Sequence, residues 1–504
     1  MKKLVFLLSL LLLCICFVGC GGDNEEMPHL FSADGDHWTI GFSSVEIAVP
    51  ENPETPLYIA GYMNGEEFTD ILDYQCANAV WLGCGNADGS ESGGMLLIGV
   101  DCVGLGSDTI NRIRDGLSDF AAETGCISIA VYASHTHAGI DTLGLWGPFA
   151  QDGKNQEFVD NVVAAAIAAG KAAYEDRSAG SLLYSETEAE NMQYDSRYPL
   201  VYDENMHQLR FIPDDSEHNG IRLVFFAAHA ESLRGDNLFI SRDFPGIMAD
   251  IIREDCGDDM LFIPGAIGGL IMTPEIRDKA LDDGSPDYHV ENCIMTGQVL
   301  ARMLLLYPEH LEIPVAPHIA YAETDFVVPL DNTAFLLYKF LGILHNESGR
   351  GTDSETGYYL ASRCAAIRFG DSITAAMLPG EIFPELVYED TDFAMGGPGH
   401  VLTEETFPSL SRLAAQYDCG TLLIGGLCND ELGYIVPPRD FLVHPDLPYL
   451  EKIEDESGEN HYEETNSPGI RTAQVLFAAM EEVFAALADQ SSPLPIRGDI
   501  SHDN

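Results

Sequence analysis

Two histidines one residue apart, His135 and His137, stand near the end of the run 127–139, which reads ISIAVYASHTHAG. Imidazole nitrogens can hold a divalent metal or move protons near neutral pH. Ile127, Ile129, Ala130, Val131 and Tyr132 form an apolar, partly β-branched run, the pattern of a buried strand. Positions i and i+2 of a strand share a face. The spacing therefore predicts both rings emerging side by side where the strand leaves its sheet. A rigid element that holds ligands in this way suits a metal or catalytic site. Two histidines hydrogen-bonded in a loop fit the same spacing, and the chain holds 15 histidines. The pair alone leaves both readings open.

The elements around the pair repeat one theme. A strand over 221–228 runs straight into His229, as the first runs into His135. Residues 241–246, SRDFPG, open a helix to about residue 254. The strand 261–263 leads into the Gly-rich stretch 264–269, which no Lys follows, so it is not a phosphate loop. The strand 372–378 ends in Pro379-Gly380-Glu381, and 421–427 ends in Cys428-Asn429-Asp430-Glu431-Leu432-Gly433-Tyr434. Further strands are expected at 39–49, at 75–82 paired with 94–103, and at 181–188, 205–211 and 319–329. Helices are expected at 109–123 with Asp108 as N-cap, and at 155–174, 292–306, 333–344 and 467–487. Residues 191–199 read as a loop, and 455–464 as an acidic, solvent-facing one. Strands alternating with helices predict an α/β fold of mixed β-sheets with flanking helices.

The charge balance excludes one class of partner. The 504 residues carry 81 acidic and 25 basic side chains, a formal net charge of -56. Nucleic acid is not expected as a partner, because phosphate binding needs clustered Lys and Arg. The same surface repels a bare anionic membrane and favours solubility.

The N-terminus reads as an address. Lys2-Lys3 precede the apolar stretch 4–18, and Phe17-Val18-Gly19-Cys20 resembles a bacterial lipobox. The apolar stretch is short for a membrane span, which needs roughly 20 residues. Residues 1–20 are therefore expected to be a lipoprotein signal peptide with Cys20 as the lipidated residue, and 21–38 a polar tether. The expected location is the bacterial cell envelope, exported and membrane-anchored through that lipid. Nine scattered cysteines remain beyond the signal, with no CxxC pair to make a zinc knuckle.

Taken in order, ASHTHAG, a strand ending at His229, SRDFPG, a strand ending LPGE, and GLCNDELGY resemble the neutral/alkaline, non-lysosomal ceramidase family. The resemblance runs from about residue 41 to the final helix. It implies a neutral-ceramidase-like catalytic domain over 39–490, followed by a tail at 491–504. It also implies one catalytic Zn²⁺ held by His135, His229, Glu381 and Tyr434. His137 and Arg197, the latter in Ser196-Arg197-Tyr198-Pro199, would then serve at the substrate carbonyl. The implied reaction is hydrolysis of the N-acyl amide bond of ceramide, or of a related N-acyl lipid, by metal-activated water. One segment departs from the family pattern. Where the family has Gly-Asp-Val/Ile-Ser-Pro-Asn, residues 268–275 read Gly-Gly-Leu-Ile-Met-Thr-Pro-Glu. Either Thr273 takes the place of the serine or that role is lost. The immunoglobulin-like C-terminal domain of many members is expected to be absent.

Two alternatives stand beside this. An amidohydrolase-type metal hydrolase also places HxH after a strand, but early, with further ligands at later strands of a barrel. A surface lipoprotein could keep the fold and only bind a ligand, a reading motivated by the altered segment at 268–275.

Overall fold

Along the strand Glu91–Val100, Met95 and Leu97 point to one side and Leu96 and Ile98 to the other, and all four are fully buried. A strand buried on both faces must lie between two layers. The computed structural model describes residues 29–351, 353–394, 406–455 and 458–488. In it, this strand belongs to a nine-stranded sheet. Its order is Asp259–Pro264, Ile221–Phe226, Asn205–Pro213, Ser178–Glu188, His37–Glu46, Cys76–Gly85, Glu91–Val100 and Cys126–Ala133, with Ile313–Val315 on the edge of Ser178–Glu188. A six-stranded sheet faces it, in the order His29–Asp34, His318–Leu330, Tyr358–Phe369, Ile373–Met377 and Thr421–Gly425, with Ser348–Arg350 beside Tyr358–Phe369.

The alternation in each sheet sorts side chains into three interfaces. Leu97, Tyr132 and Leu223 of the large sheet meet Ile319, Ile367 and Ala375 of the small one. Behind the large sheet, Leu96, Ile98 and Val131 pack on the helices Ser107–Gly116 and Gln156–Glu175. The helices Asp243–Cys256 and Pro286–Leu305 cover the half that contains Val224 and Phe262. Behind the small sheet, Ala320, Ala366 and Ile424 pack on the helix Thr472–Ala488. The layers run helix, sheet, sheet, helix. Both sheets mix parallel and antiparallel pairs. This two-sheet sandwich is not a barrel, so the amidohydrolase alternative is set aside.

Several elements differ from expectation. Residues 29–34, placed in the tether, form an edge strand paired with His318–Leu330, because Phe31 and Ala33 face the core. The strand Tyr358–Phe369 was not expected. Ser362, Arg363 and Arg368 interrupt its apolar pattern, but Arg363 pairs with Glu323 and Asp325, and Arg368 donates to the carbonyls of Leu487 and Asp418. The helix expected at 109–123 divides at Leu117, and Gly106, not Asp108, is its N-cap. Among the described residues no helix is long and apolar enough to cross a membrane. Cys20 and its signal lie outside the described residues.

Candidate metal and catalytic site

Three parallel strand pairs deliver the site residues from their C-terminal ends. His135 follows Cys126–Ala133, His229 follows Ile221–Phe226, and Glu381 follows Ile373–Met377. The strand beside Ile373–Met377, Thr421–Gly425, leads on to Tyr434. Short bridges tie the ends together: Thr136 to Ala230, His229 to Met272, and Tyr132 to Cys428.

His135 and His137 meet, but not through strand geometry. The strand stops at Ala133 and His135 adopts φ 64°, a left-handed conformation that costs about 1–3 kcal/mol in a residue other than glycine. The kink brings the two Nε2 atoms to 3.1 Å. His135 Nδ1 lies 2.6 Å from the Val103 carbonyl, and His229 Nδ1 lies 2.8 Å from the Ile271 carbonyl. A carbonyl only accepts, so each Nδ1 carries the hydrogen and each neutral ring turns a lone pair inward from Nε2. Both lone pairs face Glu381, with Oε2 at 3.5 Å from His135 Nε2 and 3.0 Å from His229 Nε2. All three residues are buried.

Three acceptors aimed at one another in a buried space need a cation between them, either a proton or a metal. With a proton there, burial lowers the His229 imidazole but the hydrogen bond to Glu381 more than reverses this, taking it up to about 9. Burial raises the Glu381 carboxyl, yet His135 and His229 hold it well below the carboxylate range. Two imidazole nitrogens and a carboxylate oxygen, with both rings fixed by outer carbonyls, are also the donor set of a catalytic zinc. The residues present fit that ion. A nitrogen from each of His135, His137 and His229 lies within 4.8 Å of the others, so a three-histidine set is equally close.

Tyr434 is brought beside Glu381 by the backbone. The short parallel strands Glu381–Ile382 and Tyr434–Ile435 pair Glu381 with Tyr434, and Glu381 N–H donates to the Gly433 carbonyl at 3.1 Å. Gly380 (φ 151°) must be glycine here, since a Cβ would lie 2.5 Å from that carbonyl oxygen. The Tyr434 hydroxyl meets the Tyr462 hydroxyl at 2.8 Å.

His137 faces a carboxylate. Burial, then the neighbouring His135 and His229, push its imidazolium well below the ordinary value, so the ring is neutral. Its Nδ1 lies 3.5 Å from Glu231 Oε2, which accepts from the Tyr62 hydroxyl at 2.5 Å. The loop that carries Glu231 is clamped by Asp243, whose carboxylate accepts from Ser232, Leu233 and Phe244 N–H. Glu431 also lines the cleft; burial and nearby Glu381 push its carboxyl well up. Sequence reasoning missed Glu231, Tyr62, Glu431 and Tyr462. They stand in loops without periodicity, and only the position of Glu231 two residues after His229 marks it.

Arg197 and Thr273 are placed differently. Arg197 is buried away from the histidines' contacts, in ion pairs of 2.9 Å with Glu463 and 2.8 Å with Glu464, with its guanidinium 5.0 Å from the Phe383 ring centre. Glu463 and Glu464, expected to face solvent, are 1% and 0% exposed for this reason. Thr273 is fully buried and its hydroxyl lies 2.8 Å from Ser232 Oγ. Neither lines the cleft. The segment around Thr273 instead holds His229, through the Ile271 carbonyl.

The cleft has a volume of about 360 Å³. His135, His137, Glu381 and Tyr434 form one wall, and Leu143, Leu145, Trp146, Phe335 and Tyr338 form an apolar one. Polar groups converging at the head of an apolar cleft are the form of a small-molecule site.

No family model matches this chain, and no curated protein matches it by sequence. Solved structures do match. The neutral ceramidase from Pseudomonas aeruginosa superimposes with a TM-score of 0.65 at 14% identity, over 92% of this chain and 76% of that one. A ceramidase complexed with C2 gives a TM-score of 0.64 at 14% identity, over the same shares. The fold expected from the ordered motifs is therefore present: this chain has the fold of the neutral ceramidase structures.

Proposed function

We propose that the protein is a metal-dependent hydrolase that cleaves the N-acyl amide bond of ceramide or a related N-acyl lipid, with zinc as the metal. One observation carries this reading: His135 Nε2, His229 Nε2 and Glu381 Oε2 converge as bare acceptors, with both tautomers fixed from behind, and His135 and Glu381 line a cleft with an apolar side. The likeness to ceramidase structures supports the substrate class. So does the helix Thr333–Leu341. Its Phe335 and Tyr338 line the cleft, while Leu337, Phe340 and Leu341 are 49%, 65% and 46% exposed along one face. An apolar stripe facing water beside a cleft suits a substrate held in a lipid surface. Export and lipidation at Cys20, which we include in the proposal, would keep the cleft near such a surface.

A zinc ion held by His135, His229 and Glu381, with Tyr434 as a fourth ligand, would polarise the acyl carbonyl and bring the pKa of water to about 7. The chain's own residues do the rest. Neutral His137, with Nδ1 toward Glu231, offers Nε2 to take a proton from the attacking water and return it to the leaving amine. Glu231, held by Tyr62, steadies the imidazolium formed in between. The apolar wall orients the acyl chain and excludes bulk water. Arg197, committed to Glu463 and Glu464, acts by holding Tyr462 in place rather than at the carbonyl.

The test is fatty-acid release from N-acylsphingosine by the detergent-solubilised full chain. Release should fall to background after chelation and return with zinc, and His137→Ala should keep zinc but lose about 100-fold or more in rate. Activity untouched by chelation contradicts the proposal. The burial of Thr273 against Ser232 favours a second reading, a ligand-binding lipoprotein of the same fold. Full zinc with no release from any N-acyl lipid would support that one.

A further inference from the structure

Antiparallel backbone bonds join residues 453–455 to 459–461, just before Tyr462. Asp455 N–H donates to the Glu459 carbonyl and His461 N–H to the Ile453 carbonyl, both at 2.9 Å. This pairing gathers ligand atoms of Asp455, Glu459 and His461 within 4.8 Å of one another. His461 is 6% exposed. Its Nδ1 lies 2.8 Å from Glu464 Oε1 and 3.0 Å from Arg197 Nη2. The carboxylate only accepts, and Arg197 Nη2 already donates to the same Glu464 oxygen at 2.8 Å. Every donor has an acceptor only when Nδ1 carries the hydrogen. In the neutral ring His461 Nε2 then holds a lone pair. It is buried, without a hydrogen-bond partner, and 3.8 Å from Asp455 Oδ2. Asp455 and Glu459 are the carboxylates gathered with His461, while Glu463 and Glu464 are paired with Arg197.

We propose that Asp455, Glu459 and His461 hold a second divalent cation, of the type that accepts imidazole with carboxylates, such as Zn²⁺ or Mn²⁺. The Glu464–His461 hydrogen bond orients the ring for it, as outer carboxylates do for metal-bound histidines. The site is independent of the histidine cleft. It braces the paired segments directly before Tyr462, whose hydroxyl meets Tyr434 in the cleft.

The test counts ions. The full chain in detergent is stripped with chelator, titrated with Mn²⁺ or Zn²⁺, and its bound metal measured by elemental analysis after dialysis. Asp455→Asn with Glu459→Gln removes both charges. It keeps the acceptors for Glu459 N–H and Tyr198 N–H, so the paired segments retain those bonds. Two ions are expected per wild-type chain, one in this double variant, and one in His135→Ala. A double variant that binds as many ions as the wild type overturns the proposal; this covers the case in which His461 carries a proton on Nε2 instead. A count that falls in the double variant but not in His135→Ala upholds this site and removes the catalytic one.

Discussion

His229 can carry a proton for Glu381 or a metal, but not both. In the metal-free protein its pKa stands at about 9, above the ordinary 6.5, once burial is outweighed by the bond to Glu381. The proton then stabilises the fold fully below pH 6.5, and that contribution is lost as pH rises through about 9. Metal must displace it. Apparent zinc affinity should therefore climb about tenfold per pH unit from pH 7 to 9 and then level off, with close to one proton released per ion. Competition titrations at pH 7, 8 and 9 measure this, and a flat profile would remove the shared proton. At this scale His135 and His137 were legible, because HxH after an apolar run is a local pattern. Glu381 and Tyr434 were not separable from 81 acids and 20 tyrosines by physics alone; the ordered motifs selected them. The left-handed turn at His135 carries no signal in residue type, so i, i+2 spacing points to the right neighbours by the wrong geometry.

Two elements frame the cleft, and each makes a prediction. The first is the strap that follows Tyr462, where Arg197 joins Glu463 and Glu464. Removing one partner of a buried ion pair leaves charge unpaired and costs about 3–5 kcal/mol. Arg197→Met should destabilise by that amount in urea unfolding. Since Arg197 does not line the cleft, it should lower activity only through the strap, so added stabilising ligand should restore part of the rate. An Arg197 that touched the carbonyl would give a loss in rate with little loss in stability. The second element is the helix Thr333–Leu341. Phe340→Glu should reduce hydrolysis of substrate in vesicles several-fold and leave a soluble short-chain N-acyl substrate unchanged; equal loss on both would deny the stripe a surface role. Strands were the most legible elements, because Cys76–Gly85 and Cys126–Ala133 hold continuous apolar runs, at 79–82 and 129–133. Tyr358–Phe369 was not legible, because its polar positions are satisfied by partners 38 to 119 residues away. The strap was misjudged for the same reason: its acids look solvated until Arg197 is placed between them.

The described residues form a sandwich of two sheets whose strand ends meet at one edge, and the 504-residue chain carries a formal net charge of -56. Charge of that size should disfavour anionic lipid surfaces and leave neutral or zwitterionic ones accessible. Hydrolysis on zwitterionic vesicles should fall as anionic lipid is added and recover with salt, since screening shortens the repulsion to about 8 Å at physiological ionic strength. Insensitivity to lipid charge would place the docking surface elsewhere. The layered architecture was legible as α/β with mixed sheets, but the pairing of the two sheets was not, because contacts such as Leu97 with Ile367 join residues that no local pattern connects. The most direct test of the central claim is anomalous diffraction at the zinc edge from crystals of the zinc-loaded protein. A peak bonded to His135 Nε2, His229 Nε2 and a Glu381 oxygen at about 2.0–2.2 Å is the predicted result. Zinc-saturated crystals with no density there, and with both rings still hydrogen-bonded to Glu381, would contradict it.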